Sequence, residues 1–380
     1  MEIREGYKKT EVGVIPVDWE VKCFGDIVYL VKSRINPKQS KNTYPCIELE
    51  HLSQETGQLL GTIDSNEQLS QKTLFAKADV LFGKLRPYLK KFHYADFYGV
   101  CSSEIWVIRA ETNTLGKLIF YLVQSNRFLE ATNQTTGTKM PRADWKTVNC
   151  VYFPLPPTLK EQQAIATALS DVDALITSLD KLIAKKRNLK QGAMQQLLTG
   201  KKRLPGFGGE WEVKNLGEIV EFSNGKAHEN SISENGQFIV INSKFISTEG
   251  KVKKFSDSCL CPVTIGEIVM VMSDVPNGKA IAKCFYVNET EKYTLNQRIC
   301  SLKALNVDSK FIFYLINRNS YFLTFDDGVK QTNLRKDDVL YCPLKIPATT
   351  AEQQAIAQIL SDMDAEIETL ENKHDKYQPI

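Results

Sequence analysis

The sequence predicts a mixed α/β (α+β) protein built twice: two similar α/β domains joined by two long helices, an internal duplication with pseudo-twofold character. Three observations predict it. The hexapeptide EQQAIA stands at 161–166 and again at 352–357. Strand-like runs followed by a helical run occur in the same order in both halves. Each half then closes on a proline-free stretch with an apolar seam, longer than a domain of this size can cover.

The repeat extends well beyond six residues. Residues 158–180 align without gaps to 349–371, with 14 of 23 positions identical. DWEVKCFGDIV at 18–28 matches EWEVKNLGEIV at 210–220 at seven of 11. KLIFYLVQSN at 117–126 matches KFIFYLINRN at 310–319 at six of ten. The offset drifts only from 191 to 193 across these anchors, so the unit is about 190 residues. That period is far too long for a solenoid repeat. A chain of 380 residues is also the length of about two ordinary domains.

The globular part of each copy reads as strands broken by Gly and Pro, then one shared helix. The runs at 80–110 and 266–304 are rich in β-branched and aromatic residues. The shared helix is expected near 117–130 and 309–324. PLPP at 154–157 then forces an extended stop.

From about 160 to 198 no proline occurs and Gly192 is the only glycine. Ile165, Ala168, Val172, Leu175, Leu179 and Leu182 step by three and four, Lys186 interrupts, and Leu189 resumes. Such a helix would run roughly 55–60 Å. In the second copy Ile356, Ile359, Met363, Ile367 and Leu370 repeat the seam. Ile380 corresponds to Leu189, so the second helix is expected to be truncated relative to the first. Run antiparallel, the two helices would bury their seams against each other with a domain at each end of a shared rod. The alternative is two helices that each pack on their own domain. The expected segments are 1–157, 158–203, 204–348 and 349–380.

Composition narrows the function. A balance of 42% hydrophobic and 24% charged residues is that of a globular protein. No apolar run approaches a membrane span, and the start MEIREGYKKT lacks a signal peptide's apolar stretch, which places the expected site of action in the cytoplasm. Nine scattered cysteines argue against a disulfide framework, and Cys259 with Cys261 has no second pair to complete a zinc site. Net charge is only +3, so any basic surface must be local.

Catalytic motifs are missing. There is no G-x-G-x-x-G after a strand, no P-loop, no G-x-S-x-G and no H-E-x-x-H. GFGGEW at 206–211 reads as the turn between helix and second domain. SDVD at 170–173 and SDMD at 361–364 read as solvated helix charges.

Basic and polar loops remain. GKLRPYLKK at 83–91 gathers Lys84, Arg86, Lys90 and Lys91 around Tyr88. TTGTKMPRADWK at 135–146 and DDGVKQTNLRKDD at 326–338 follow the shared helix in the two copies. They contribute Lys139 and Arg142, and Lys330, Asn333, Arg335 and Lys336, with Arg142 expected to fall on Arg335. Lys226 and Lys279 add cations in the second copy. Lys, Arg and backbone amides in such loops suit phosphates, and Arg and Asn suit base edges. The alternative is an ordinary solvated loop, and two equivalent loops in two copies favour a binding function; the readings in play are a DNA-binding subunit of a larger enzyme and a free-standing two-headed DNA-binding regulator. A protein–protein scaffold is the weaker third reading.

PLPP, EQQAIA, LSDVD and LKQGAMQQLLTGKKRLPGF together resemble the central region of the specificity (S) subunits of type I restriction-modification systems. EVGVIPVDWEV, TTGTKMPR and LNQRI also resemble that family, and the likeness covers both copies. It implies two target recognition domains separated by two long antiparallel helices forming a coiled coil. Each domain would read one half of a bipartite DNA site. The helices would set the gap and dock two methyltransferase (M) subunits, with restriction (R) subunits completing the nuclease. It also implies a non-catalytic chain with no cofactor of its own, S-adenosylmethionine being bound by the M subunit. Residues 29–115 and 221–308 share little, which implies two different half-sites and an asymmetric target.

Overall fold

A computed structural model describes residues 3–134, 140–275, 278–289 and 292–377. The chain forms two compact units, Met1–Leu175 and Ile176–Ile380.

In the first unit a four-stranded antiparallel sheet runs in the order Phe92–Tyr94, Val80–Gly83, Ile105–Ala110, Val28–Leu30. A second sheet orders Arg34–Ile35, Lys72–Phe75, Gly99–Cys101, Pro45–Ile47, Ile63–Asp64, and its pairing of 99–101 with 45–47 is parallel. The central strands explain the layering. Side chains alternate between faces, and here both faces are apolar. Val80, Phe82, Trp106 and Ile108 enter one cluster with Phe24, Ile119 and Phe128 from the helical layer. Leu81, Ile105 and Val107 enter another with Ile47, Leu52 and Cys101 of the second sheet. The four-stranded sheet is therefore the middle of three layers, and continuous apolar runs such as VLF are what a doubly covered strand requires.

The second unit repeats this plan with different residues. Val220–Asn224, Ile299–Ala304, Ile268–Val271 and Cys284–Tyr286 form the four-stranded sheet. Phe255–Ser256, Phe238–Ile241 and Tyr293–Leu295 form the second, again with one parallel pair. Ile268, Met270, Cys300 and Leu302 face the helical cluster, and Val269, Val271 and Ile299 face the other sheet.

The single shared helix is in fact two short helices in each unit: Gly116–Leu122 and Asn126–Asn133, then Ser309–Ile316 and Ser320–Leu323. Local chemistry breaks them. Ser125 accepts from the Phe128 amide as a new N-cap. Arg318 adopts a left-handed φ of 57°, and Asn319 accepts from the Tyr321 amide.

Both long helices form, Leu159–Leu197 with 39 residues and Thr350–Tyr377 with 28. Their seams are shifted from the expected ones. Ala168, Leu182, Leu189 and Ile359 are exposed, while Ile183 and Leu360 are buried. From Leu179 the seam steps by four to Ile183, then to Lys186 and Lys190. Those lysines do not break it; they lie partly buried and reach Glu366 (2.5 Å) and Asp364 on the second helix. Arg187 meets Glu371 and Asp180 meets His374. Rising numbers on one helix pair with falling numbers on the other, so within the second unit the helices run antiparallel. Leu197 is buried and Ala193 packs on the second unit's core, so neither is left uncovered by the shorter second helix.

The repeated phrase now has a physical meaning. Gln162, fully buried, accepts from the Leu115 amide (2.8 Å) and donates to the carbonyls of Asn113 and Pro156. Gln353, 2% exposed, accepts from the Asp308 amide (2.8 Å) and donates to the Pro347 carbonyl. Ala166 and Ala357, one turn on, are also buried. EQQAIA is the clamp that docks each long helix on its own domain. The acidic pairs take part: Tyr121 donates to Asp173 (2.8 Å) and Tyr314 to Asp364 (2.7 Å). Asp173 and Asp364 are thus docking residues rather than simply solvated charges. Among the described residues no helix is long and apolar enough to cross a membrane.

Candidate nucleic-acid interface

In each unit the candidate loops meet at a short β-bridge beyond the end of the four-stranded sheet. In the first unit Leu85 bridges Arg142. The Arg86 amide donates to Pro141 (2.8 Å), and the Ala143 amide donates to Lys84 (2.9 Å). The Lys84 amide in turn donates to the Glu104 carbonyl (3.0 Å). Lys84, Arg86 and Arg142 are therefore neighbours, as the sequence suggested. Arg86 (φ 53°) and Lys90 (φ 47°) flank the single turn Pro87–Leu89 in left-handed conformations. That geometry costs about 1–2 kcal/mol per non-glycine residue. The turn is held outward with Arg86 and Tyr88 exposed.

Lys90 and Lys91 are less available. Lys90 pairs with Glu55 at 3.0 Å, and the Lys91 ammonium donates to the Leu49 carbonyl at 2.6 Å. Lys139 lies outside the described residues. Arg142 is half exposed, and its Nε and one terminal nitrogen donate to Glu104 at 3.0 and 3.4 Å. That contact holds its already high pKa further up.

In the second unit Ser273 bridges Asn333 and Asp274 bridges Thr332. The Leu334 amide donates to Met272 (2.8 Å), and the Met272 amide donates to Arg298 (2.9 Å). These links match the first unit one for one: Met272 stands for Lys84, Leu334 for Ala143, Arg298 for Glu104. The burial pattern agrees, with Arg142 and Asn333 exposed and Ala143 and Leu334 buried after them. The counterpart of Arg142 is therefore Asn333, not Arg335. At the helical anchor the two copies stand 193 residues apart, which would set Arg142 on Arg335. The chain returns to 191 before this bridge, because the second copy is two residues shorter in the intervening loop.

Asn333 is positioned by a polar relay. Gln331 Nε2 donates to Ser273 Oγ, and Ser273 donates to Asn333 Oδ1, both at 2.7 Å. Arg335 begins the helix Lys336–Leu340, its amide donating to Asp338 (2.7 Å), and its side chain is exposed. The Lys336 ammonium lies 5.7 Å from the centre of the Phe222 ring. Lys330 is exposed on a turn whose amides at 329 and 330 both donate to Asp327, which holds that carboxyl below its usual pKa. Lys279 is exposed, next to Ala280, whose amide donates to Asp274 (2.6 Å). Lys226 is exposed where the strand Val220–Asn224 ends, its amide donating to Leu295 (3.0 Å).

Four residues of this surface were missed: Glu104, Ser273, Arg298 and Gln331. Arg298 lay in the noted string LNQRI, and Gln331 stands two residues before Asn333, the spacing of side chains on one face of a strand. Glu104 and Ser273 left no signal, because they act across the fold. No group of three or more metal-ligating side chains occurs among the described residues.

Comparison with known proteins agrees with this doubled plan. The family described as "Type I restriction modification DNA specificity domain" matches twice, at residues 16–188 and 208–376. The MjaVIII type I restriction enzyme specificity subunit of Methanocaldococcus jannaschii is 25% identical, covering 96% of this chain and 90% of that protein. The EcoDI specificity subunit of Escherichia coli is 25% identical over 55% of this chain and 47% of its own length. Among solved structures, the type I S subunit from M. genitalium superposes with a TM-score of 0.63 at 14% identity, covering 99% of this chain and 95% of that one. A chain from a structure on complex assembly and conformational transition of the type I R-M system gives 0.57 at 16% identity, covering 95% and 94%. These two likenesses concern the fold. With the family matched over both copies, the chain belongs to the type I restriction-modification DNA specificity subunits and carries two recognition domains.

Proposed function

We propose that each recognition domain reads one half of a bipartite, asymmetric site in double-stranded DNA. The long helices set the spacer between the halves and dock methyltransferase subunits, and restriction subunits join through that assembly in the cytoplasm. The working segments are 1–157 and 204–348 as readers, and 158–203 and 349–380 as spacer. The chain supplies recognition, and S-adenosylmethionine and the methyl-transfer chemistry belong to the methyltransferase partner.

One observation carries this reading. The four-stranded sheet keeps one strand order in both units and the Gln162 and Gln353 clamps recur, while the second sheet has five strands in one unit and three in the other among the described residues, and matched exposed positions differ in chemistry. A repeated frame with unlike surfaces is what two readers of unlike half-sites need. The names of the relatives, specificity subunits of type I restriction enzymes, support it. Lys84, Arg86, Arg142, Lys226, Lys279, Lys330, Asn333, Arg335 and Lys336 are the proposed contacts; Lys139 is proposed from the sequence alone, and Lys90 and Lys91 are secondary.

The test is a map of methylated sites in cells with and without the chain. A bipartite, asymmetric motif that disappears with the chain is expected. Inserting seven residues into both helices, near Leu179 and Leu370, keeps the seam in register and adds roughly 10 Å. The spacer should then grow by about two to four base pairs, at ~3.4 Å each, with both half-sites unchanged. An active variant with the old spacer would show that the helices are not the ruler.

A further inference from the structure

We infer that the bridge position shared by Arg142 and Asn333 is a specificity-determining position in both readers, with Arg142 recognising guanine and Asn333 recognising adenine. This rests on the chain being a DNA specificity subunit and adds which base each residue reads.

The two side chains stand at one register. Each is the exposed residue of a β-bridge, followed by a buried partner, and tied through one intervening residue to the start of the long central strand. A protein that reads two different half-sites with one frame must change side chains at such positions and keep the backbone.

The local chemistry fits two different bases. A guanidinium has two edges that can grip a planar acceptor pair. Glu104 takes the edge made by Nε and one terminal nitrogen. What remains is the edge made by the two terminal nitrogens, a fork of N–H donors suited to O6 and N7 of guanine in the major groove. Glu104 is a positioning residue: it orients the fork and acts through Arg142. In the second unit an arginine at the same place would face Arg298, whose strand position matches that of Glu104. Asn333 stands there instead, its Oδ1 accepting from Ser273, which Gln331 holds from behind. The relay, with a long contact from Nδ2 to the Gln331 carbonyl (3.5 Å), fixes the amide plane and leaves the second N–H of Nδ2 and a second acceptor site on Oδ1. That donor–acceptor pair matches N7 and N6 of adenine. Each bidentate pair carries a discrimination of about 5- to 150-fold against the wrong base.

The experiment uses the full chain assembled with its methyltransferase subunit and a library of randomised duplexes, selected for binding and sequenced. The variants are Arg142→Lys, Glu104→Gln, Asn333→Asp and Ser273→Ala, each checked by its thermal melt. Arg142→Lys keeps the charge and loses the fork, so one guanine in one half-site should become degenerate. Glu104→Gln should relax that same guanine more weakly. Asn333→Asp and Ser273→Ala should relax one adenine in the other half-site, the first strongly and the second weakly. All other positions should be unchanged. Folded variants that weaken binding evenly across all sequences would make these residues phosphate contacts and overturn the inference. So would variants that leave the selected motif intact. A wild-type assembly that selects no motif at all would instead overturn the function on which the inference rests.

Discussion

The same two residues, Glu-Gln, open both long helices, yet only one of them does the same thing twice. Gln162 and Gln353 bond to backbone groups, and backbone geometry survived the duplication. Glu161 and Glu352 bond to side chains, and those differ. Glu161 accepts from the Trp19 indole at 2.9 Å and stays partly exposed. Glu352 is 2% exposed and gripped by both Nε and a terminal nitrogen of Arg203, at 2.5 and 2.7 Å. Arg203 arrives from the end of the first long helix and also donates to the carbonyls of Gly208 and Gly209. Trp211, the counterpart of Trp19, has a buried indole N–H with no hydrogen-bond partner among the described residues. The comparison teaches that a motif persists through its backbone partners, while its side-chain partners depend on what the chain brings to that place.

The largest expected effect tests this asymmetry. Glu352→Ala takes the buried carboxylate from a partly exposed Arg203 that keeps its bonds to Gly208 and Gly209, and losing a hydrogen bond to a charged group costs about 1.5–3 kcal/mol. Glu161→Ala removes one indole bond at a half-exposed site and should cost only ~1 kcal/mol. Calorimetry of the two variants checks it, and equal losses would show that the two anchors are energetically alike. Next come the glutamines. Gln162→Ala and Gln353→Ala each strand buried backbone groups, at about 1–3 kcal/mol per site. Their losses should match within ~1 kcal/mol, measured as the fall in each unit's unfolding temperature. A much larger loss at one of them would mean that the clamps are not equivalent.

Smaller again are the tyrosine contacts. Tyr121→Phe and Tyr314→Phe each remove a hydroxyl bond to a helix carboxylate, about 1 kcal/mol. Burial, reinforced by Asp173, pushes the Tyr121 hydroxyl up to about 12. A phenol whose folded pKa is raised contributes stability in full below its ordinary value near 10, and loses it as the pH climbs toward 12. The first unit should therefore weaken over that window, and Tyr121→Phe should weaken less steeply than the wild type. Identical alkaline slopes would show that the hydroxyl is not held neutral by its surroundings. The smallest effect belongs to Leu189, half exposed on the first long helix. Leu189→Lys should change the melting temperature by less than about 0.5 kcal/mol in equivalent stability, and a larger fall would put Leu189 back in the seam.

The sequence made the duplication, the long helices, the strand-rich domains and the family legible, because each leaves a local pattern: repeated words, apolar periodicity, proline stops. The two-sheet plan was not legible, since 29–115 and 221–308 share the layers and the order of the four-stranded sheet without sharing residues. The seam was misplaced because three-step and four-step readings of Leu179 both land on an aliphatic residue, Leu182 or Ile183. Burial of Ile183 and the ion pairs of Lys186 and Lys190 decide between them. Within the candidate site, the exposed cations were readable as basic loops. The match of Arg142 to Asn333 was not, because a two-residue shift hides in a loop and only the bridge hydrogen bonds reveal it.

The central claim is that one frame carries two independent readers. Its most direct test replaces residues 210–348 with residues 18–157, joining at the matched tryptophan and proline anchors and leaving both long helices in place. The variant is supplied with its methyltransferase subunit, and the methylated motif is mapped. The account predicts a symmetric motif, with the first half-site in both arms as an inverted pair and the spacer length retained. A methylated motif that still contains the original second half-site would contradict it.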